Sequence, residues 1–204
     1  AGDVQWMTAG SGVVHEEFHG RAVSASGGVV SMAQLWVNLP AAHKMTTPRY
    51  QPILSADIPV VPIDGGTVRI IAGSWSGPSG AVGGPARTVS PLAVWDARLG
   101  PGGRLAGSVP AGWTASVVVL DGAIELGGQR IEASRVAVLS RTGGGIEATA
   151  SASGAKLLVL AGEPIDEPIA AHGPFVMNTR DQIRTAIDDY NAGRMGFLSS
   201  PTGK

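Results

Sequence analysis

Ala115-Ser-Val-Val-Val-Leu120, Asp121-Gly122 and Ala123-Ile-Glu-Leu126 form the stretch that most clearly predicts the fold of this chain. Two apolar runs flank a dipeptide of the kind that two-residue hairpin turns prefer. We therefore expect two antiparallel strands that are joined at Asp121-Gly122, with Gly127-Gly128 ending the hairpin.

Further strand-like runs surround this hairpin at fairly even spacing. They cover residues 67–72, 91–99, 130–140, 145–150 and 155–160. Thirty glycines and fourteen prolines among 204 residues, of which 44% are hydrophobic, indicate many short strands joined by turns and few long helices. Residues 63–165 are therefore predicted to form a small closed or nearly closed β-barrel.

The segments outside this barrel differ from each other. Near the C-terminus, Thr179-Arg-Asp-Gln182 fits a capping box, and apolar residues recur at helical spacing until Gly193, which predicts a helix at about 180–192. Near the N-terminus, alternation predicts strands at 13–19 and 33–39, separated by a loop at 20–32. Residues 40–62 are rich in proline and polar residues, and we interpret them as a connecting segment.

Composition limits the function classes that remain open. With 15 basic and 16 acidic residues, the chain has no electrostatic footprint for nucleic acid or an anionic membrane. The absence of cysteine excludes disulfides, thiolate metal sites and thiol nucleophiles, and suits a reducing compartment. No apolar run reaches the ~20 residues of a membrane-spanning helix, and the first residues do not resemble a signal peptide. We expect a soluble, cytoplasmic protein.

The candidate metal ligands are His15 and Glu17, two positions apart on the predicted strand after Gly10-Ser11-Gly12. Residues two apart share one face of a strand, so an imidazole and a carboxylate would converge there. They would form part of a site for a divalent first-row metal, which needs at least three protein ligands. The alternative is a histidine bonded to backbone beside a solvated carboxylate. Glu16 should face away.

The remaining histidines are weaker candidates. His19 could join the same face, but we interpret it as a rim residue. His43 lies in the connecting segment and should be exposed, and His172 precedes a Gly-Pro-Phe string that favours a structural role. Between His43 and His172 there is no histidine, so the predicted barrel offers only scattered carboxylates, which suit calcium or magnesium better than iron.

Several strings together resemble the pirin family of the cupin superfamily. They are Gly2-Asp-Val-Gln-Trp-Met-Thr-Ala-Gly10, Gly12-Val-Val-His15, Gln34-Leu-Trp-Val-Asn-Leu39, Pro48-Arg-Tyr-Gln51, Gly112-Trp-Thr114, Ala161-Gly-Glu-Pro164 and Gly173-Pro-Phe-Val-Met-Asn-Thr179. The resemblance implies a mainly β bicupin, with two β-barrel or jelly-roll domains and a short C-terminal helix. Residues 1–62 would be the remainder of an N-terminal metal-binding cupin plus a linker, 63–165 a metal-free C-terminal cupin, and 166–204 an extension that carries the helix.

The resemblance also implies a ligand set. Pirins hold one metal, usually Fe(2+), in the N-terminal barrel through an upstream His-x-His pair and a later His-x-Glu pair, which His15 and Glu17 match. Copper, nickel, manganese or zinc are alternatives to iron. The upstream pair is expected ahead of this chain, so the first barrel would be incomplete and could associate with another polypeptide through its open side. The chain would then be a fragment or a truncated relative.

Three functions follow from this resemblance. The first is an iron-dependent dioxygenase, similar to the quercetinase type, that acts on flavonol-like substrates. Glu17 would also be its catalytic base, and Trp6 and Met7 would line the substrate pocket unless they simply pack in the core. The second is a redox-responsive iron-binding regulatory protein that binds transcription factors or metabolic enzymes but not nucleic acid. The third is a metal-free truncated remnant.

Overall fold

The computed structural model describes residues 1–18, 20–77 and 80–198, and in these ranges the chain is mainly β. The strands are β1 Val4–Thr8, β2 Arg49–Ile53, β3 Val60–Ile63, β4 Gly66–Ala72, β5 Ser74–Gly77, β6 Gly80–Gly83, β7 Leu92–Leu99, β8 Arg104–Ser108, β9 Thr114–Leu126, β10 Gln129–Glu132, β11 Arg135–Val138, β12 Gly145–Gly162, β13 Ala170–His172 and β14 Phe175–Met177. The helices are α1 Arg21–Ser26 and α2 Arg180–Asn191, and short 3-10 turns cover Ala41–His43 and Ser55–Asp57. The mainly β prediction is confirmed.

An eight-stranded antiparallel sheet dominates the chain. Its strands follow the order β10-β9-β12-β7-β4-β3, and β11 pairs with β9 while β8 pairs with β12. One face of this sheet carries the main core. Every second residue of a strand points to the same side, and on this side Val117 of β9, Trp95 of β7 and Leu157 of β12 are buried. The predicted strands at 67–72 and 91–99 are confirmed as β4 and β7.

The predicted turn at Asp121-Gly122 is wrong. Both residues lie inside the 13-residue strand β9, where Gly122 has a φ of 72°. They pair with Lys156 and Ala155 of β12, between two register shifts: Leu120 is an extra residue of β9 opposite the Lys156–Leu157 junction, and residues 151–154 of β12 lie opposite Ala123. Both halves of β9 therefore remain paired with β12. A Cβ at Gly122 would lie 2.1 Å from the carbonyl oxygen of Gly154, which explains the glycine. The chain turns at Gly127-Gly128 instead, between β9 and β10.

Other predicted strands have different limits in the structure. The run at 130–140 is divided into β10 and β11, and Ser134 between them has a φ of 63°. The two runs at 145–150 and 155–160 are parts of the single 18-residue strand β12. Residues 13–18 and 33–39 form no strand, because no described strand pairs with them, and α1 lies inside the predicted loop at 20–32.

The chain divides into two compact units. The first contains Ala1–Met7 and Tyr50–Ile165, including the large sheet, and the second contains Thr8–Arg49 and Asp166–Lys204. The proposed domain limits at residues 62 and 165 stay a prediction. Among the described helices, neither is long and apolar enough to cross a membrane.

A nearly buried arginine joins three parts of the first unit. Arg69 on β4 lies opposite Asp96 on β7, and its Nη1 donates to the Asp96 carboxylate over 2.8 Å. Its Nη2 donates to the carbonyl oxygen of Gly2 and to the Ser55 hydroxyl. The Asp3 carboxylate accepts from the backbone N–H of Ser55, so the start of the chain is held to the sheet by charged and polar contacts.

Removal of the Arg69 side chain should strongly destabilise the first unit. Arg69→Ala would leave the Asp96 carboxylate, 14% exposed, without its main partner, and we expect a loss of about 3–5 kcal/mol in unfolding free energy. Urea denaturation followed by circular dichroism measures this loss. Arg98→Ala is the control, because Arg98 is 57% exposed and lies 3.8 Å from the same carboxylate; it should cost at most about 1 kcal/mol. Equal losses in the two variants would contradict this role of Arg69.

The second unit contains the predicted C-terminal helix and a buried lysine. The capping box of α2 is confirmed: the Thr179 hydroxyl accepts from the Gln182 N–H, and the Gln182 side chain accepts from the Thr179 N–H.

Lys44 is 4% exposed, and its Nζ donates to the Asn38 side chain over 2.7 Å and to the Val176 carbonyl oxygen over 3.2 Å. Burial lowers the pKa of Lys44, and the charge of Glu167 partly opposes that shift.

The lowered pKa of Lys44 gives the folding free energy a pH dependence. Between the lowered folded pKa and the ordinary lysine value, the unfolded chain binds more protons than the folded one, so stability rises with pH in that window. We expect the unfolding free energy of the unmodified chain to rise relative to that of Lys44→Met between neutral pH and a pH just below the ordinary lysine pKa. Urea titrations of both proteins at each pH measure the difference. A difference that falls with pH would contradict the shift.

Candidate metal centre

The segment that carries His15 and Glu17 begins at a tight turn. Gly10 and Gly12 have φ values of 52° and 114°, and the Gly12 N–H donates to the Ala9 carbonyl oxygen over 2.9 Å. The Ser11 N–H donates to the Thr46 carbonyl oxygen over 2.9 Å, which holds the turn against the connecting segment. A Cβ at Gly10 would lie 2.0 Å from that same oxygen, so this position requires glycine.

After the turn, residues 13–18 belong to no helix and to no paired strand of the described chain. The Val14 N–H donates to the Met195 carbonyl oxygen over 3.1 Å, and Val13 and Val14 are half-buried. His15 and Glu17 are both exposed, as is Glu16. The predicted strand is absent here, so the expected convergence of His15 and Glu17 on one strand face has no support from backbone pairing.

The donor set of this segment fits part of a metal site. A neutral imidazole and a carboxylate are suitable ligands for divalent iron and its neighbours, and both are accessible. A mononuclear site needs at least one further protein ligand. Across residues 1–18, 20–77 and 80–198, no group of three or more histidine, aspartate or glutamate side chains is arranged to hold an ion.

The other candidate residues lie in different surroundings. His19 lies outside the described residues. His43 is exposed at the end of a 3-10 turn, and His172 is exposed on β13. Trp6 is half-buried in the first unit, where it packs against a small apolar cluster and its indole N–H donates to the Arg87 carbonyl oxygen. Its neighbour Met7 is 37% exposed.

The large sheet of the first unit encloses an apolar interior. Trp75 and Trp95 lie there with ring centroids 4.9 Å apart in an edge-to-face arrangement, and both are buried. The described side chains of this core cluster are apolar and offer no carboxylate or imidazole donors. Sequence reasoning did not identify the buried polar residues Arg69 and Lys44. The signal for Arg69 is a lone cation within the apolar run of residues 67–72, whereas Lys44 follows His43 in a polar segment and carries no such signal.

Comparison with known families identifies the chain. A sequence model described as the pirin C-terminal cupin domain matches residues 94–196, and one described as pirin matches residues 1–37. The chain belongs to the pirin family. The resemblance inferred from the quoted strings is thereby confirmed.

Individual relatives agree with the family assignment. A Pseudomonas aeruginosa protein, provisionally named as a quercetin 2,3-dioxygenase, is 49% identical over 195 residues, which cover 95% of this chain and 66% of that protein. Pirin of Homo sapiens is 36% identical over 207 residues, which cover the whole chain and 68% of that protein. A crystal structure of quercetin 2,3-dioxygenase from Acinetobacter baumannii superposes with a TM-score of 0.90 at 47% identity, covering 97% of this chain and 68% of the other. This pirin-family chain therefore spans about two thirds of the length of these relatives.

The glycine turn ahead of His15 should be intolerant of substitution. Gly10→Ala would place a Cβ against the Thr46 carbonyl oxygen in a left-handed conformation, and we expect a loss of about 2 kcal/mol or more in unfolding free energy. Gly143→Ala is the control, because Gly143 has open space around it and no left-handed φ; its effect should be within about 0.5 kcal/mol. Urea denaturation compares them, and equal stability of the two variants would contradict the predicted clash.

Proposed function

We propose that this pirin-family chain is part of a metal-dependent dioxygenase of the quercetinase type that acts on flavonol-like substrates. The observation that carries the proposal is the agreement of sequence and fold, at 49% and 47% identity, with two proteins named as quercetin 2,3-dioxygenases. Exposure of His15 and Glu17 supports it, because both side chains are accessible to an ion and to further ligands.

In this proposal His15 and Glu17 are two of the protein ligands of one Fe(2+). The neutral His15 imidazole would bind through a ring nitrogen, and the Glu17 carboxylate through an oxygen. A bound ferrous ion acts as a Lewis acid that favours the deprotonated form of a hydroxylated aromatic substrate. Copper, nickel, manganese and zinc remain alternatives, because imidazole and carboxylate oxygen bind them too.

Glu17 would have a second role as the general base. A carboxylate oxygen within hydrogen-bond reach of the substrate hydroxyl can accept its proton, which leaves the substrate as the anion that a cation prefers. Glu17 is exposed, so its carboxylate is accessible to a substrate. The sequence contains no cysteine. A reducing compartment such as the cytoplasm therefore suits both the protein and ferrous iron.

Metal binding and turnover should depend on His15 and Glu17 but not on their neighbour. We expect His15→Ala and Glu17→Ala each to weaken Fe(2+) binding by at least about tenfold, measured by anaerobic calorimetry, and to abolish the loss of quercetin absorbance in air. Glu16→Ala is the matched control, because it removes an equally exposed carboxylate from the intervening position.

The same measurements separate the alternative functions. Unchanged metal affinity in His15→Ala would overturn the ligand assignment. Tight binding of Fe(2+) without any loss of quercetin would overturn the enzyme and favour a redox-responsive regulatory protein. No metal binding by the unmodified chain would favour a metal-free remnant.

A further inference from the structure

An open groove of about 730 Å³ lies between β13 and α2, within the second unit. Its walls combine apolar and cationic side chains. They include Ile169, His172, Arg180, Ile183, Arg184 and Ile187. Neither His15 nor Glu17 takes part in this lining, so the groove is separate from the proposed metal centre. Its volume falls within the range of small-molecule binding sites in proteins.

The apolar part of the groove comes from both of its sides. Ile183 and Ile187 are one helical turn apart, so they lie on the same face of α2. Ile183 is 7% exposed and forms a floor, whereas Ile169, which precedes β13, is 68% exposed. A hydrocarbon or aromatic body that covered these isoleucines would remove apolar surface from water.

The cationic part comes from the first turns of α2. Arg180 and Arg184 are four residues apart and therefore lie on the same side of the helix. The Arg184 side chain is paired with Asp181, whereas the Arg180 side chain forms no hydrogen bond or ion pair within the part of the chain that the structure describes. The capping residues Thr179 and Gln182 already bond to backbone N–H groups at the start of α2, so the arginine side chains and not the helix end supply the free donors.

We propose that this groove binds a small amphipathic monocarboxylate, with its hydrocarbon body on Ile169, Ile183 and Ile187 and its carboxylate on Arg180. A guanidinium presents a planar fork of donors that matches a carboxylate, and Arg180 has this fork available. The lining contains two arginines and no acidic side chain, which disfavours an amphipathic cation relative to a carboxylate. Carboxylate recognition next to an apolar floor therefore gives the groove both affinity and selectivity.

Decanoate is a suitable probe, and decyltrimethylammonium is its counterpart with the same chain and the opposite charge. In titrations of the ¹⁵N-labelled, metal-free chain followed by NMR, decanoate should shift the amide signals of residues 169–172 and 180–187. It should bind at least about tenfold more tightly than the cation, as expected for one charge-assisted hydrogen bond. Use of the metal-free chain keeps the result independent of the proposed dioxygenase activity.

Two variants test the assigned contacts. Arg180→Gln should weaken decanoate binding by about tenfold, which corresponds to the loss of one charge-assisted contact. Arg135→Gln removes an exposed guanidinium from β11 in the other unit and should leave binding unchanged. The proposal would be overturned by equal affinities for the two probes or by unchanged decanoate binding in Arg180→Gln. It would also be overturned by signal shifts confined to residues 29–37, a segment with several exposed apolar side chains.

Discussion

The pairing of β12 with its neighbours is the interaction on which the first unit depends. This 18-residue strand pairs with β8 and β9 along its first half and with β7 and β9 along its second half. The irregular stretch between its two halves lies opposite Ala123 of β9, and β9 has one extra residue, Leu120, opposite the Lys156–Leu157 junction. Since a one-residue insertion exchanges the two faces of a strand, the extra residue Leu120 explains why Val117 and Val119 but then Ile124 point into the core. The two irregularities thus allow long strands to keep one continuous apolar interior.

Local sequence patterns therefore predict the strands better than they predict how the strands connect. Alternation identified β4 and β7 closely, and the capping box located the start of α2, because these signals depend on near neighbours in the chain. The Asp121-Gly122 dipeptide predicts a turn, but a left-handed glycine serves equally in a turn and beside an irregularity within a long strand. Only the distant partner strand decides between the two, and β12 lies more than twenty residues further along the chain.

The same dependence on distant partners explains why the sequence does not predict the geometry of the candidate metal centre. Residues 13–18 and 33–39 have alternating sequences, but alternation yields a strand only where another backbone supplies hydrogen bonds. In the second unit the described contacts of this region are single bonds, such as those of Ser11 with Thr46 and of Val14 with Met195. The chemistry and spacing of His15 and Glu17 in the sequence single them out as candidate ligands, which stays a prediction. The sequence could not determine their relative orientation, because that orientation requires a paired strand.

The glycine turn nevertheless determines where those donors lie. Gly10 is held against Thr46, and the backbone beyond it is anchored at Val14, one residue before His15. This arrangement limits the position of the His15 backbone while its side chain remains free to choose a rotamer in solvent. Affinity for an ion would then depend on how much conformational entropy His15 and Glu17 lose on binding. Two ligands on an unpaired segment lose more freedom than two ligands on a fixed strand face. A strand partner for residues 13–18 would therefore strengthen metal binding without contacting the ion.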